Sequence, residues 1–232
     1  MSLDTRQLKH GTFITLEGGE GVGKSTQVRY LVARLEARGI EAISTREPGG
    51  SPGAEILRDI LLSGMIKDLG PKAEAIIFAA ARMDHVDHMI APALGNGKWV
   101  ICDRFADSTR AYQGALGGVD PAFLRGLDEL TVAETRPDLT LILDLPAEVG
   151  LARAAQRRGA AQTLDRFEGE GLAFHEALRK AYLAIAAAEP ERCVVVDASQ
   201  SEEEVAQAIW DTISHRLFDA APATQADALH GA

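Results

Sequence analysis

The sequence predicts an α/β domain: a parallel sheet with helices on both faces. Three observations predict it. Five short apolar runs alternate with longer helix-period segments. The runs are near-continuously apolar, as strands buried on both sides are. Pro52, Pro71 and Pro121 stand where a proline suits the first turn of a helix.

The elements follow in order. After the polar leader MSLDTRQLKHG, FITLEG (Phe13–Gly18) reads as the first strand and Lys24–Arg38 as the first helix. EAISTRE (Glu41–Glu47) is the second strand, followed by helices Pro52–Ser63 and Pro71–Leu94. WVICDR (Trp99–Arg104) is the third strand, then helix Pro121–Glu134 and strand LTLILDL (Leu139–Leu145). A bipartite helical stretch, Glu148–Ala188, leads to CVVVDA (Cys193–Ala198) and a last helix, Ser201–Phe218, capped by Ser199 or Ser201. From Ala220 the tail has no periodicity and is expected to fray. No repeat or linker divides the chain, so a single domain with its core over about 11–218 is expected.

Composition narrows the function. With 232 residues, 46% hydrophobic and 25% charged, the chain has the makeup of a globular enzyme. A formal net charge of −10 opposes bulk attraction to nucleic acid or anionic membrane, so an anionic ligand needs locally placed Arg and Lys. No apolar run is long enough to span a bilayer. Cys102 and Cys193 each lie in an apolar run, which fits core residues in a reduced, cytoplasmic protein.

The chemistry begins at LEGGEGVGKST. Gly18, Gly19, Glu20, Gly21, Val22, Gly23, Lys24, Ser25 and Thr26 form a phosphate-binding loop between a strand and a helix. This makes the expected class a P-loop NTPase fold, with ligands at the carboxyl ends of the strands. Lys24 is placed to reach the β- and γ-phosphates of ATP, and Ser25 to ligate Mg²⁺. Asp103 ends a strand beside this loop, where a second Mg²⁺ ligand belongs. Arg104 can grip a second phosphate, which a kinase needs and a hydrolase does not. Arg153, Arg157, Arg158 and Arg166 surround Gly159–Thr163. They read either as a solvated helix end or as a mobile lid over about 153–170 that brings arginines to the transferring phosphoryl group.

DRFADSTRAYQG (Asp103–Gly114) resembles the D-R-[YFH]-x-x-S-x-x-A-Y-Q signature of thymidylate kinases. EGGEGVGKST, TREPGG (Thr45–Gly50), FAAAR (Phe78–Arg82), RPDLTLILDL (Arg136–Leu145) and LDRFE (Leu164–Glu168) extend the resemblance from Phe13 to Phe218. The resemblance implies Mg²⁺-dependent transfer from ATP to dTMP by a cytoplasmic homodimer of the type whose lid carries the catalytic arginines. It implies that Phe78, alone a plausible core aromatic, stacks on the base, with Arg82 on its exocyclic oxygen and Thr109 on its N3 edge. Tyr112 is implied against the sugar's 2′ carbon, with Ser108 and Gln113 beside it. Arg104 and Arg46 are implied at the acceptor phosphate, and Glu20 at the 3′-hydroxyl. Lys24, Arg104, Arg153, Arg158 and Glu20 are the expected catalytic set, and Arg153 and Arg157 are also expected at the nucleotide. Arg110 receives no role. In RMDHVDHM, Asp84, His85, Asp87 and His88 have chelating spacing but fall on a helix, where a solvated or subunit-contact face produces the same pattern. Two rivals are a kinase for another nucleoside monophosphate and a non-catalytic ATP switch.

Overall fold

The computed structural model describes residues 11–132, 134–158, 167 and 169–218, with only the backbone of Arg158. Residues 1–10 of the leader, the Gly159–Thr163 interruption, Arg166 and the tail from Ala220 lie outside the described residues.

Among the described residues, five parallel strands form one sheet in the order β2-β3-β1-β4-β5. They are β1 (Phe13–Glu17), β2 (Ala42–Arg46), β3 (Trp99–Asp103), β4 (Leu139–Asp144) and β5 (Cys193–Asp197). The strand starts and ends fall within one residue of the sequence expectation. Central β1 pairs with β3 on one side, Leu16 opposite Asp103, and with β4 on the other, Leu16 opposite Leu141. The chain therefore reverses its progress across the sheet at β1, and a crevice opens beyond the strand ends there.

Side chains alternate along each strand, so one sheet supplies two cores. Ile14, Leu16, Ile101, Leu139, Leu141 and Leu143 pack toward α1 (Lys24–Glu36) and α9 (Glu202–Ile213) through Leu31, Leu35, Ile209 and Ile213. Phe13, Val100 and Cys102 face the other way, against Val86, Ile90 and Phe105. Ile142 meets Leu178 and Tyr182 of α8 (Leu172–Ala188). The expectation of strands covered on both faces fails at the two sheet edges: the residues of β2 are half-buried or exposed, and in β5 Val194 is half-buried and Val195 exposed.

The remaining helices are α2 (Pro52–Leu62), α3 (Gly70–His85), α4 (Ala91–Gly95), α5 (Ala106–Thr109), α6 (Pro121–Thr131) and α7 (Ala147–Arg158). The expected long helix Pro71–Leu94 is divided by a π-helical turn at Val86–Ile90 into α3 and α4. Helix α5 and the π-helical turn Arg110–Leu116 that continues it were not expected from the sequence. Ser201 caps α9 in a reciprocal capping box with Glu204.

Helix α7 meets the phosphate loop backbone to backbone. A Cβ on Gly150 would collide with the carbonyl oxygen of Glu20, and one on Gly21, whose φ is 68°, with the carbonyl of Gly150. Overpacking of this kind costs about 2 kcal/mol, which in a domain of this size lowers Tm by roughly 4–8 °C. Gly150→Ala is expected to show that loss in thermal unfolding, and an unchanged Tm would contradict the contact.

Candidate active site

The phosphate loop is shaped by glycines. Gly18, Gly21 and Gly23 have φ of 137°, 68° and 93°, conformations that side chains resist. Lys24, buried at the start of α1, donates to the carbonyls of Gly18 (3.1 Å) and Gly19 (2.8 Å). Burial lowers its pKa to about 8, and the positive charge of Arg104 adds to the effect. Ser25 Oγ donates to Asp103 Oδ2 at 2.6 Å. Two oxygen donors of this kind, beside a phosphate loop, suit a hard cation such as Mg²⁺.

A cleft of about 480 Å³ runs from this loop across the ends of β1 and β3. Gly21, Gly23, Lys24, Ser25 and Thr26 line its loop end, while Gly18, Gly19 and Val22 lie behind the loop. Glu20 turns away from the phosphate cradle toward Arg104, Oε1 to Nη2 at 2.7 Å. Burial would raise the Glu20 pKa, but Arg104 and Lys24 together bring it below the usual value. The carboxylate in the loop is therefore one half of a partly buried ion pair.

Arg104 is the only non-glycine among the described residues with a positive φ, 71°. That turn carries its guanidinium back over the strand ends. Nη1 donates to Gly18 O (3.1 Å), Tyr182 Oη (3.1 Å) and, more weakly, Ser108 Oγ (3.4 Å). The ring of Tyr112 lies 5.4 Å from its Cζ.

Across the cleft, α3 contributes Phe78 and Arg82 to one wall. Phe78 is half-buried and outside the described core clusters, with Phe167 6.3 Å away. Arg82 is 1% exposed; its Nε donates to Glu47 Oε2 and its Nη2 to Thr109 Oγ1, both at 2.9 Å. Phe105 lies under the guanidinium at 5.3 Å and meets Phe13 edge-on. Gln113 Nε2 reaches Glu74 at 3.2 Å. Arg46 lines the cleft half-exposed, with Nη2 on the Glu55 carboxylate.

The arginines of α7 divide. Arg157 lines the cleft. Arg153, one turn earlier, instead donates from Nη1 to the carbonyl of Ala198 after β5, at 3.0 Å. A helical turn rises 5.4 Å, enough to carry it to the neighbouring loop. The structure does not bring Arg153 into the cleft.

A family model described as thymidylate kinase matches residues 16–209. The chain belongs to the thymidylate kinase family. It is 58% identical to a thymidylate kinase of Bradyrhizobium diazoefficiens, over 92% of this chain and 93% of that one. With one from Afipia carboxidovorans it shares 60% identity over the same fractions. The crystal structure of thymidylate kinase from Ehrlichia chaffeensis superposes with a TM-score of 0.71 at 29% identity, covering 88% of this chain and 99% of that one. The kinase is thus an enzyme of phosphoryl transfer with the fold its alternation of strands and helices predicts.

Sequence reasoning passed over several residues that hold this kinase's site together. Glu17 ends β1, fully buried. Glu47 receives Arg82, and also His85 Nδ1 at 3.3 Å. His85 Nε2 meets Thr45 Oγ1 at 2.6 Å, so this histidine is a buried strut and not part of a solvated face. Asp84 accepts from Ala54 N at 3.0 Å and pairs with His88. Arg110, which had no expected role, pairs with Asp107 (2.8 Å) and Glu189 (2.6 Å). Arg192 grips the same two carboxylates and ties Arg110's segment to the start of β5. A charge ending an apolar strand was the available signal for Glu17.

Burial raises the pKa of Glu17 from 4.5 to about 7, with the charge of Asp107 adding to it. Between those values the native chain holds a proton that the unfolded chain releases, so stability from this group falls as pH rises. In denaturant unfolding, the stability of the native sequence relative to Glu17→Gln is expected to decline from pH 5 to pH 8. A flat difference across that range would contradict the buried, protonatable carboxyl.

Proposed function

We propose that the chain transfers the γ-phosphoryl group of ATP to the 5′-phosphate of dTMP, giving ADP and dTDP. The observation that carries this reading is the shared cleft: phosphate loop at one end, aromatic and amide-lined wall at the other, and Arg104 between them. A nucleotide switch has no use for that second arginine site.

The acceptor is a phosphate monoester with a second pKa of about 6, already largely dianionic at neutral pH. It needs positioning and charge neutralisation more than a general base. Lys24 and the N-terminus of α1 receive the donor phosphates. Arg104 receives the acceptor phosphate, with Arg46 nearby. Glu20, held by Arg104, accepts from the 3′-hydroxyl of the deoxyribose. Phe78 stacks on the thymine, Arg82 and Thr109 address its polar edge with Ser108 and Gln113 close by, and Tyr112 closes the space at the sugar's 2′ position. Arg157 and Arg158 bring positive charge to the transferring group, and Arg153 serves the nucleotide end through the loop after β5. Ser25 and Asp103 would hold Mg²⁺, which when bound offsets the charge of the polyphosphate.

A second copy of the chain is the proposed partner, and the cytoplasm the proposed location. Ile76 and Met83, seven residues apart on α3, are each 48% exposed, which supports a subunit contact on that face. Among the described residues no helix is long and apolar enough to cross a membrane.

Coupled ADP release with Mg-ATP against dTMP, dUMP, dCMP, dGMP, dAMP and UMP is expected to be fastest with dTMP and slow with UMP. Faster turnover of another monophosphate would keep the phosphoryl transfer and overturn the base and sugar roles. Arg157→Ala is expected to lower kcat by about three orders of magnitude, with KM for dTMP changed by less than about threefold. A KM effect at intact kcat would remove Arg157 from that role.

A further inference from the structure

Glu17 is the last residue of β1, 0% exposed, and does not itself line the cleft, although Phe105 and Ser108, which do, are its partners. Its carboxylate nevertheless collects three donors from the segment after Arg104. Oε1 accepts from the N–H of Phe105 (2.7 Å) and, at longer range, of Ser108 (3.3 Å). Oε2 accepts from the Ser108 hydroxyl at 2.7 Å. A carboxylate is costly to bury and is retained where its hydrogen bonds hold something in place.

Arg104 is what those bonds hold. Its left-handed backbone, strained for a residue with a Cβ, sits immediately before the Phe105 N–H that Glu17 fixes. The hydroxyl chain beside it has a direction. With the Ser108 proton committed to Glu17, Ser108 Oγ is left to accept from Tyr182 Oη at 2.9 Å. Tyr182 Oη then accepts from Arg104 Nη1 at 3.1 Å, and Ser108 Oγ receives the same nitrogen at 3.4 Å. Every oxygen facing the guanidinium is thereby an acceptor.

We propose that Glu17 is a positioning residue for Arg104, fixing the backbone turn that presents the arginine and setting the direction of the hydroxyl chain its guanidinium binds. The proposal rests on the reading that Arg104 receives the acceptor phosphate. Glu17 acts through Ser108 and contacts no substrate.

Glu17→Gln is nearly isosteric but replaces one acceptor oxygen with an NH₂ donor. The amide then donates to Ser108 Oγ, the serine proton turns toward Tyr182 or Arg104, and a donor meets a donor. The test is steady-state kinetics at pH 8, where Glu17 is mostly ionised, on the full chain with both substrates varied, for Glu17→Gln, Ser108→Ala and the double variant. Glu17→Gln is expected to raise KM for dTMP about tenfold or more, the size of one lost charge-assisted hydrogen bond. KM for ATP should change by less than about twofold, because Lys24 and the loop are untouched. Ser108→Ala should show the same selectivity, and the double variant should be no worse than the poorer single one, since both break one relay.

Equal losses for both substrates, or effects that multiply in the double variant, would overturn the relay. Should Glu17→Gln fail to fold, Ser108→Ala decides alone: an unchanged KM for dTMP refutes the proposal. Turnover of dTMP by the native sequence, measured in the same assay, separates the two levels. An inactive native chain removes the functional reading and the proposal with it, whereas an active one with an unaffected Glu17→Gln removes the proposal only.

Discussion

A guanidinium taken out of water at the ends of β1 and β3 is the constraint around which this site is organised. Arg104 is half of an ion pair whose members are each only 17% exposed, so its charge must be met by hydrogen bonds and by Glu20. Gly18 gives a carbonyl, Tyr182 and Ser108 give hydroxyl oxygens, and Glu20 gives the countercharge. These partners come from the phosphate loop, from α5 and from α8, so the arginine joins three parts of the chain that the sheet alone would leave independent. Removing any one partner leaves a desolvated positive charge imperfectly met, which is why the cluster behaves as a unit.

The same arrangement resolves the acid in the phosphate loop. A fixed negative charge in a cradle for polyphosphate is repulsive if it points inward, and Glu20 points across to Arg104 instead. The overall charge of −10 and the cationic cleft are compatible for a similar reason. Lys24, Arg104 and Arg157 converge on the cleft, while Arg110 and Arg192 are consumed by Asp107 and Glu189 on the far side of α5. What matters for an anionic ligand is the local field at the strand ends, and that is set by which cations face the cleft, Arg104 among them although Glu20 offsets part of its charge.

Much of this was legible from residue order. The five strands announce themselves by apolar runs, and their parallel pairing follows from the helices between them, because a parallel crossover needs the length that a helix supplies. The phosphate loop is legible because its chemistry depends on backbone geometry that only particular residues permit. What could not be read was set by partners distant in sequence. Residues 106–116 are helical although Ser108, Thr109 and Gly114 are weak helix formers, because Glu17 and Arg192 secure the segment from outside it. His85 looked like part of a surface cluster because its spacing matched one. Its burial is decided by Glu47 and Thr45, some forty residues upstream. Arg153 and Arg157 share a helix face by spacing, yet a single turn of rise sends one to the loop after β5 and the other to the cleft.

The two thiols have a consequence for how this molecule can be watched. Cys102 lies in β3 and Cys193 in β5, on opposite sides of the central strand, both buried. Burial pushes the Cys102 thiol far up and that of Cys193 to about 12, so neither forms the thiolate that alkylating reagents and oxidants attack. Each sulfur becomes reactive only when the cover packed over it lifts, the Val86–Ile90 turn over Cys102 and α8 over Cys193. The chain therefore carries a pair of chemical reporters, one per half, that stay silent while these covers are closed and distinguish which lifts first.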